Sequence, residues 1–368
     1  MNSQQKNTNK VNRIISLPEF SIELLSGHQS DVIYANGNMQ VGVLINIQAM
    51  DENLHIIQLS DDQLDKIELI NYVTGNTLDL EWSYSSTKND YDNTFPHSTP
   101  ENTQKPPSQY KKITVNKLDN NSEYQRKIYW VTTTKYESIM IAAQVLLDEK
   151  IFATNQGSQD SSACVTGYPR IIYHSDDLEH PDPVLDRSGQ YVVHIDKKYS
   201  ISPPEHYDKN YDWQQHNYYL TLINKPTGFS VKHVDIEDTY NDYAFNIANY
   251  HGIVHRVESD NLYFWFLWGT MKKDKTVGDE HPTVRKTSVP NVETTYTSIA
   301  QADILTATRT DSVCLSRLYF ESPIERFWVE LPNALAHFRF YDNYGNQSYQ
   351  IEFIMEGAKS FHLQDMQP

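Results

Sequence analysis

The sequence predicts a mostly β fold: two antiparallel β-sandwich-like domains with one short helix and long loops. Three observations carry this prediction. Val, Ile, Tyr, Phe, Trp and Thr recur in short runs, and these are the residues that fit a pleated, half-buried surface. Turn-forming Gly, Pro, Asn and Asp separate the runs at the close spacing of sandwiches and barrels. At 368 residues the chain is long enough for two domains.

Residues 1–15 are polar at their start and lack the apolar stretch of a secretory signal, so they are expected to form a disordered tail. The protein is then made in the cytoplasm, and any work outside requires release by lysis or a dedicated apparatus. A first sandwich domain is expected over 16–155. In it, Ser30–Ala35 and Met39–Ala49 flank Asn36-Gly37-Asn38, a turn in which a positive φ is cheap, so the two runs should form a hairpin. Val41, Val43, Ile45 and Ile47 alternate with their neighbours at the period of a half-buried strand. Ser60-Asp61-Asp62-Gln63 is a capping-box pattern, and Leu64, Ile67 and Ile70 or Leu69 extend it as one helical stripe. The segment 85–112, with four prolines and many Ser, Thr and Asn, is expected to be a long loop. Further strands are expected at Arg126–Thr134, Ser138–Leu147 and Lys150–Thr154.

Pro169, Pro181 and Pro183 mark 156–190 as a linker, and 191–368 as a second, aromatic-rich sandwich domain. Its expected strands include Tyr191–Ile195, Tyr218–Asn224, Phe229–Ile236, Asn261–Trp268, Ala302–Thr308, Ser312–Glu321, Arg326–Leu331, Ala336–Tyr341 and Ser348–Met355. Lys225-Pro226-Thr227-Gly228 and Asp342-Asn343-Tyr344-Gly345-Asn346 have the composition of hairpin turns.

Composition narrows function mainly by exclusion. Asp and Glu number 48 against 31 Lys and Arg, a net charge of −17, which repels nucleic-acid phosphates and anionic lipids. Nucleic acid is therefore not an expected partner. No apolar run approaches the roughly 20 residues of a transmembrane helix. With 13 glycines, GxGxxG and GxxxxGK[ST] are both missing. Cys164 and Cys314 form no CxxC and no disulfide framework, and the simplest reading is two free thiols.

No nucleophile, acid pair or metal set stands out, so no catalytic residue, metal ligand or cofactor is assigned. Asp208-Lys209-Asn210-Tyr211-Asp212 matches the first half of a calcium loop but has Trp213 where the loop needs Gly. His174, Asp176, Asp177, His180 and Asp182 could meet a divalent ion only if their loop folds back. His194 and Asp196 share one strand face with nothing to complete a site, and His251 and His255 are too far apart on a strand.

Aromatic residues are the positive signal. Tyr263-Phe264-Trp265-Phe266-Leu267-Trp268 places large rings on both faces of one strand, so either both faces are covered or one is a contact surface. Tyrosine numbers 25, a residue favoured at interfaces. Tyr207, Tyr211, Trp213, Tyr218, Tyr263, Trp265 and Trp268 are the expected binding residues. The expected function is that of a non-enzymatic binding or self-assembling protein, contacting a protein or glycan and forming homo-oligomers. Two alternatives remain. The Ser/Thr-rich stretch Thr283–Ser312 suggests a β-pore-forming toxin, and the acidic and histidine clusters suggest a metal-dependent hydrolase.

Overall fold

A computed structural model describes residues 13–96, 124–223, 225–238, 251–269, 274–278, 282–305, 309–330 and 336–366. It is built of β-sheets, mostly antiparallel, and divides into two compact units, Met1–Arg170 and Ile171–Pro368. Among the described residues no helix is long and apolar enough to cross a membrane.

The first unit holds β1 (Ile14–Leu24), β2 (Ser30–Tyr34), β3 (Val41–Asp51), β4 (Ile56–Ile57), α1 (Asp61–Leu64), β5 (Ile67–Asn71), β6 (Trp82–Ser85), β7 (Gln125–Thr133), β8 (Ser138–Leu147), β9 (Lys150–Ala153) and β10 (Ala163–Tyr168). One sheet runs β1-β3-β7-β6 with β4 on β3, and the other β2-β10-β8-β5 with β9 on β8. Val43, Ile45 and Ile47 on β3 are fully buried, as the alternation requires. Tyr129 on β7 donates its hydroxyl proton to the carbonyl of Ile67 on β5, a bond from one sheet to the other.

Three expectations fail in this unit. The runs around Gly37 are not a hairpin: β2 pairs parallel with β10, whereas β3 pairs with β1 and β7. The turn itself forms, with Gly37 at φ 75° and Asn36 Oδ1 accepting from the N–H groups of Asn38 and Met39. Turn chemistry reverses the chain equally well when it crosses to another sheet. The capping box is present, Gln63 N–H donating to Ser60 Oγ and Ser60 N–H to Gln63 Oε1, yet the helix stops at Leu64. Ile67, Leu69 and Ile70 are buried on β5 instead, because pairing with Ala142, Ala143 and Val145 of β8 satisfies their backbone in the sheet. The tail expected over 1–15 overlaps β1, which starts at Ile14 and pairs with Asp51; residues 1–12 lie outside the described residues. Most of the segment 85–112 lies outside the described residues. Of its described part, Asn89 is anchored to Gln40 and Asn38, and Phe95 packs tilted against Tyr34 and edge-on to Tyr168.

The second unit holds β11 (Ile172–Tyr173), β12 (Val184–Tyr199), β13 (Glu205–Leu220), β14 (Val231–Asp238), β15 (His251–Glu258), β16 (Asn261–Gly269), β17 (Asp274–Gly278), β18 (Thr283–Val289), β19 (Val292–Ser298), β20 (Gln301–Leu305), β21 (Val313–Phe320), β22 (Ala336–Asp342), β23 (Gln347–Ser348), β24 (Ile351–Gly357) and β25 (Ser360–Asp365). A seven-stranded sheet runs β15-β16-β21-β13-β12-β19-β18. A six-stranded sheet runs β11-β23-β22-β24-β25 with β14 on β22, and β17 pairs β20. Two cores cover opposite faces of the large sheet. One gathers Trp213, Phe264, Phe266, Phe320 and Phe327, the other Trp265, Leu315, Phe338, Phe340 and Phe353 from both sheets.

The segment 156–190 is not a structureless linker. It carries β10, β11, a 3₁₀ turn at Ser175–Asp177 and the start of β12. Tyr173 and Leu178 are core residues, so the prolines cut the segment into short packed pieces. Lys225-Pro226-Thr227-Gly228 joins β13 to β14 across two sheets and is no hairpin turn, whereas Asp342–Asn346 does return β22 onto β23. Arg326–Leu331 is no strand in its described part, 326–330: it is irregular, and Phe327 and Trp328 are inserted into the first core as a plug.

Candidate functional site

The structure places most of the expected binding residues in the two cores. Trp265 is fully buried, with ring centroids 5.3 Å from Tyr218 and 5.5 Å from both Phe353 and Phe361. Tyr263 is buried beside Tyr319 at 5.5 Å. Tyr211 and Trp213 lie on the opposite face, in the other core, with Tyr191 and Phe320. Trp213 covers Gly189, its cross-strand partner, where a Cβ would come within 2.8 Å of the indole nitrogen. These rings are not a contact surface. β16 is flanked by β15 and β21 and covered on both faces, which is why its run of large side chains shows no alternation. The side chain of Trp268 lies outside the described residues. Of the expected set, Tyr207 alone is described as exposed, at 42 %.

Tyr207 belongs to a different feature. β12 and β13, 16 residues each, pair along almost their whole length, from Val184–Asn217 to Lys197–Glu205. β21 pairs β13 only from Trp213 to Leu220, and Asp212 is held by Glu321, whose N–H donates to the Asp212 carbonyl and whose carboxylate accepts from the Asp212 N–H. From Glu205 to Tyr211 the far edge of β13 therefore has no strand beside it among the described residues. On the other side, β19 pairs β12 from His194 to Tyr199, and among the described residues β18 pairs only β19. The result is a four-stranded arm, β13-β12-β19-β18, with two open edges.

Residues 201–210 of the arm are all exposed. Its outer end presents Ile201 at 93 % and Val289 at 63 % exposure. Lys198, Tyr199, Ser288, Val289, Asn291 and Glu293 line a shallow depression there, about 370 Å³ in volume. The two edges differ in charge. Thr283–Val289 carries Arg285 and Lys286 and no acid, whereas the open stretch Glu205–Tyr211 carries Glu205 and Asp208 against Lys209. Lys286 Nζ is 3.6 Å from Glu293, and the Arg285 guanidinium donates to the carbonyls of Arg326 and Phe327.

On one face of the arm, histidine and aspartate form two crossed pairs. His194 Nδ1 lies 2.6 Å from Asp208, and His206 Nδ1 lies 2.5 Å from Asp196. On the other face Lys197 Nζ sits 5.2 Å from the Tyr207 ring centroid. The hydrogen bond to the Tyr207 hydroxyl raises the Lys197 ammonium above its ordinary range, and the bond to Glu205 raises the Tyr199 phenol. The sequence reading of His194 and Asp196 missed His206 and Asp208. The usable signal was the repeated tripeptide pattern, His194-Ile195-Asp196 and His206-Tyr207-Asp208, which crosses its own charges when paired antiparallel.

The remaining candidates have structural partners. Asp208, Asn210 and Asp212 alternate along a strand, not around a loop, and bond to His194 and Gln190. His174 bonds to Asp365 at 2.6 Å and Asp177 to Lys225 at 3.0 Å. His251 and His255 have side chains outside the described residues. No group of three or more His, Cys, Asp or Glu among the described residues has metal-holding geometry. Both thiols are free; Cys314 is buried, which pushes its pKa up, and Cys164 is partly exposed. Comparison of the chain with family models, with curated proteins and with solved structures finds no match.

Proposed function

We propose that the chain is a non-enzymatic, self-assembling protein whose copies join through the open edges of the four-stranded arm. The observation that carries this reading is a single sheet ending in two unpaired edges of opposite charge. An unpaired edge presents a row of N–H and C=O groups that another strand satisfies. A basic β18 from one copy added to the acidic edge of β13 in the next continues the sheet from copy to copy. Such a contact is head-to-tail, so it closes into a ring or grows into a filament.

The buried rings shift the proposed contact from aromatic faces to backbone edges, with Tyr207, Ile201 and Val289 as its apolar margin. Light scattering over a hundredfold range of protein concentration tests it. A mass that rises with concentration supports the reading. A constant monomer mass would mean that the edge charges keep copies apart. Dye release from liposomes by the assembled form would replace assembly for its own sake with pore formation.

A further inference from the structure

His216, Arg317 and Trp265 stand side by side on three neighbouring strands. His216 of β13 is directly opposite Arg317 of β21, which is directly opposite Trp265 of β16. Directly opposed residues share a face of the sheet, here the face of the second core. Each of the three carries a buried nitrogen with no hydrogen-bond partner: His216 Nδ1, Arg317 Nε and Trp265 Nε1. Arg317 is only 8 % exposed and Trp265 is fully buried.

No carboxylate among the described residues pairs with Arg317. Its Nη1 donates to the Tyr218 hydroxyl at 3.0 Å, and its guanidinium lies 5.9 Å from the centroids of the Tyr218 and Trp265 rings. Ring faces offset part of the cost of burying a cation, but they accept no hydrogen bond in the guanidinium plane. Lys359, on the turn between β24 and β25, adds a second positive charge that His216 feels along with that of Arg317. Burial first, then Arg317 and more weakly Lys359, hold the His216 imidazole below its usual range, against the raising effect of the Asp186 carboxylate. Of the nearby acids, Glu258 is engaged by the Ala358 N–H, and Asp186 accepts from Tyr219 in the other core.

We infer that this row is a binding site for a small oxyanion, held by Arg317 and Trp265 Nε1, with His216 donating in the tautomer that carries its proton on Nδ1. A guanidinium fork matches the spacing of two oxygens on a carboxylate or phosphate, and an indole N–H and an imidazole N–H add donors without adding charge to be neutralised. The low exposure of Arg317 limits the ligand to a small ion. The row lies where β13 pairs β21, apart from the open edges of the arm.

The experiment is thermal unfolding and tryptophan fluorescence of the full chain, titrated with sodium phosphate or sodium acetate against sodium chloride at matched ionic strength. Saturable stabilisation by phosphate or acetate beyond that of chloride is expected, and whichever responds identifies the oxyanion class. Arg317→Met, which keeps the apolar stem, should abolish the response. Trp265→Phe, which keeps a ring and removes the donor, should weaken binding about tenfold. Equal curves for all three salts in the wild type would overturn the site. So would an undiminished phosphate response in Arg317→Met or, if that variant does not fold, in Trp265→Phe.

Discussion

His194 Nδ1 contacts Asp208 Oδ1 at 2.6 Å across β12 and β13, and two residues along the same strands the arrangement repeats with its partners exchanged, His206 on Asp196. Acid therefore faces base on both rungs, and neither rung juxtaposes like charges. That favours the observed hairpin register on the exposed face, while Val193 and Ile195 on the opposite face are held in the first core: a slip of two residues would set His against His or Asp against Asp. All four side chains are well exposed, so the contribution to stability is small. A double-mutant cycle on His194→Ala and Asp208→Ala should give a coupling of about 0.2–1 kcal/mol that shrinks in high salt. A coupling above about 2 kcal/mol would show that the pair is shielded.

The rings of β16 should behave as core. Trp265→Ala should cost about 3–5 kcal/mol in chemical unfolding, and Phe264→Ala, on the opposite face, a similar amount. Tyr207→Ala should change stability by less than about 1 kcal/mol, since its ring is 42 % exposed. The reverse ranking would put the aromatic run back on the surface.

The two thiols should separate by reactivity. Cys164 on β10 is partly exposed and Cys314 on β21 is buried, with its thiolate disfavoured by burial. An aromatic disulfide reagent should titrate one thiol in the native protein and both in denaturant. Two fast native thiols would contradict the packing around β21.

Asp342 gives a signed pH dependence. Burial raises its pKa, against hydrogen bonds from Asn346, Tyr173 and the Tyr344 N–H that lower it. A carboxyl with a raised folded-state pKa contributes fully to stability below its unfolded value, and that contribution is lost as pH rises through the folded value. Asp342→Asn cannot ionise. Its stability relative to the wild type should therefore improve between pH 4 and pH 7, read from urea unfolding at both. Parallel pH curves for the two proteins would rule this out.

What was legible in the sequence follows from period and local chemistry. Ser138–Leu147 was bounded as observed, and the alternation of Val41, Val43, Ile45 and Ile47 marked β3, because a strand with a buried face writes its period into the chain. The Ser60 cap was legible because it needs only residues three apart. Strand partnership was not: nothing in Ser30–Tyr34 says that it pairs with Cys164–Tyr168 and not with the neighbouring run. The run Tyr263–Trp268 has no alternation, so the sequence could not say whether one face or two were covered. The row around Arg317 was invisible for a similar reason, since β13, β21 and β16 meet there from distant parts of the chain.

The most direct test of assembly through the arm mixes two variants. Lys286→Glu spoils the basic edge and keeps the acidic one, and Asp208→Lys does the opposite. In sedimentation velocity the wild type should form concentration-dependent oligomers, and each variant alone should stay largely monomeric. An equal mixture should recover one contact, giving dimers and nothing larger. A wild type that sediments as a monomer throughout, or variants that assemble as well as the wild type, would contradict the account.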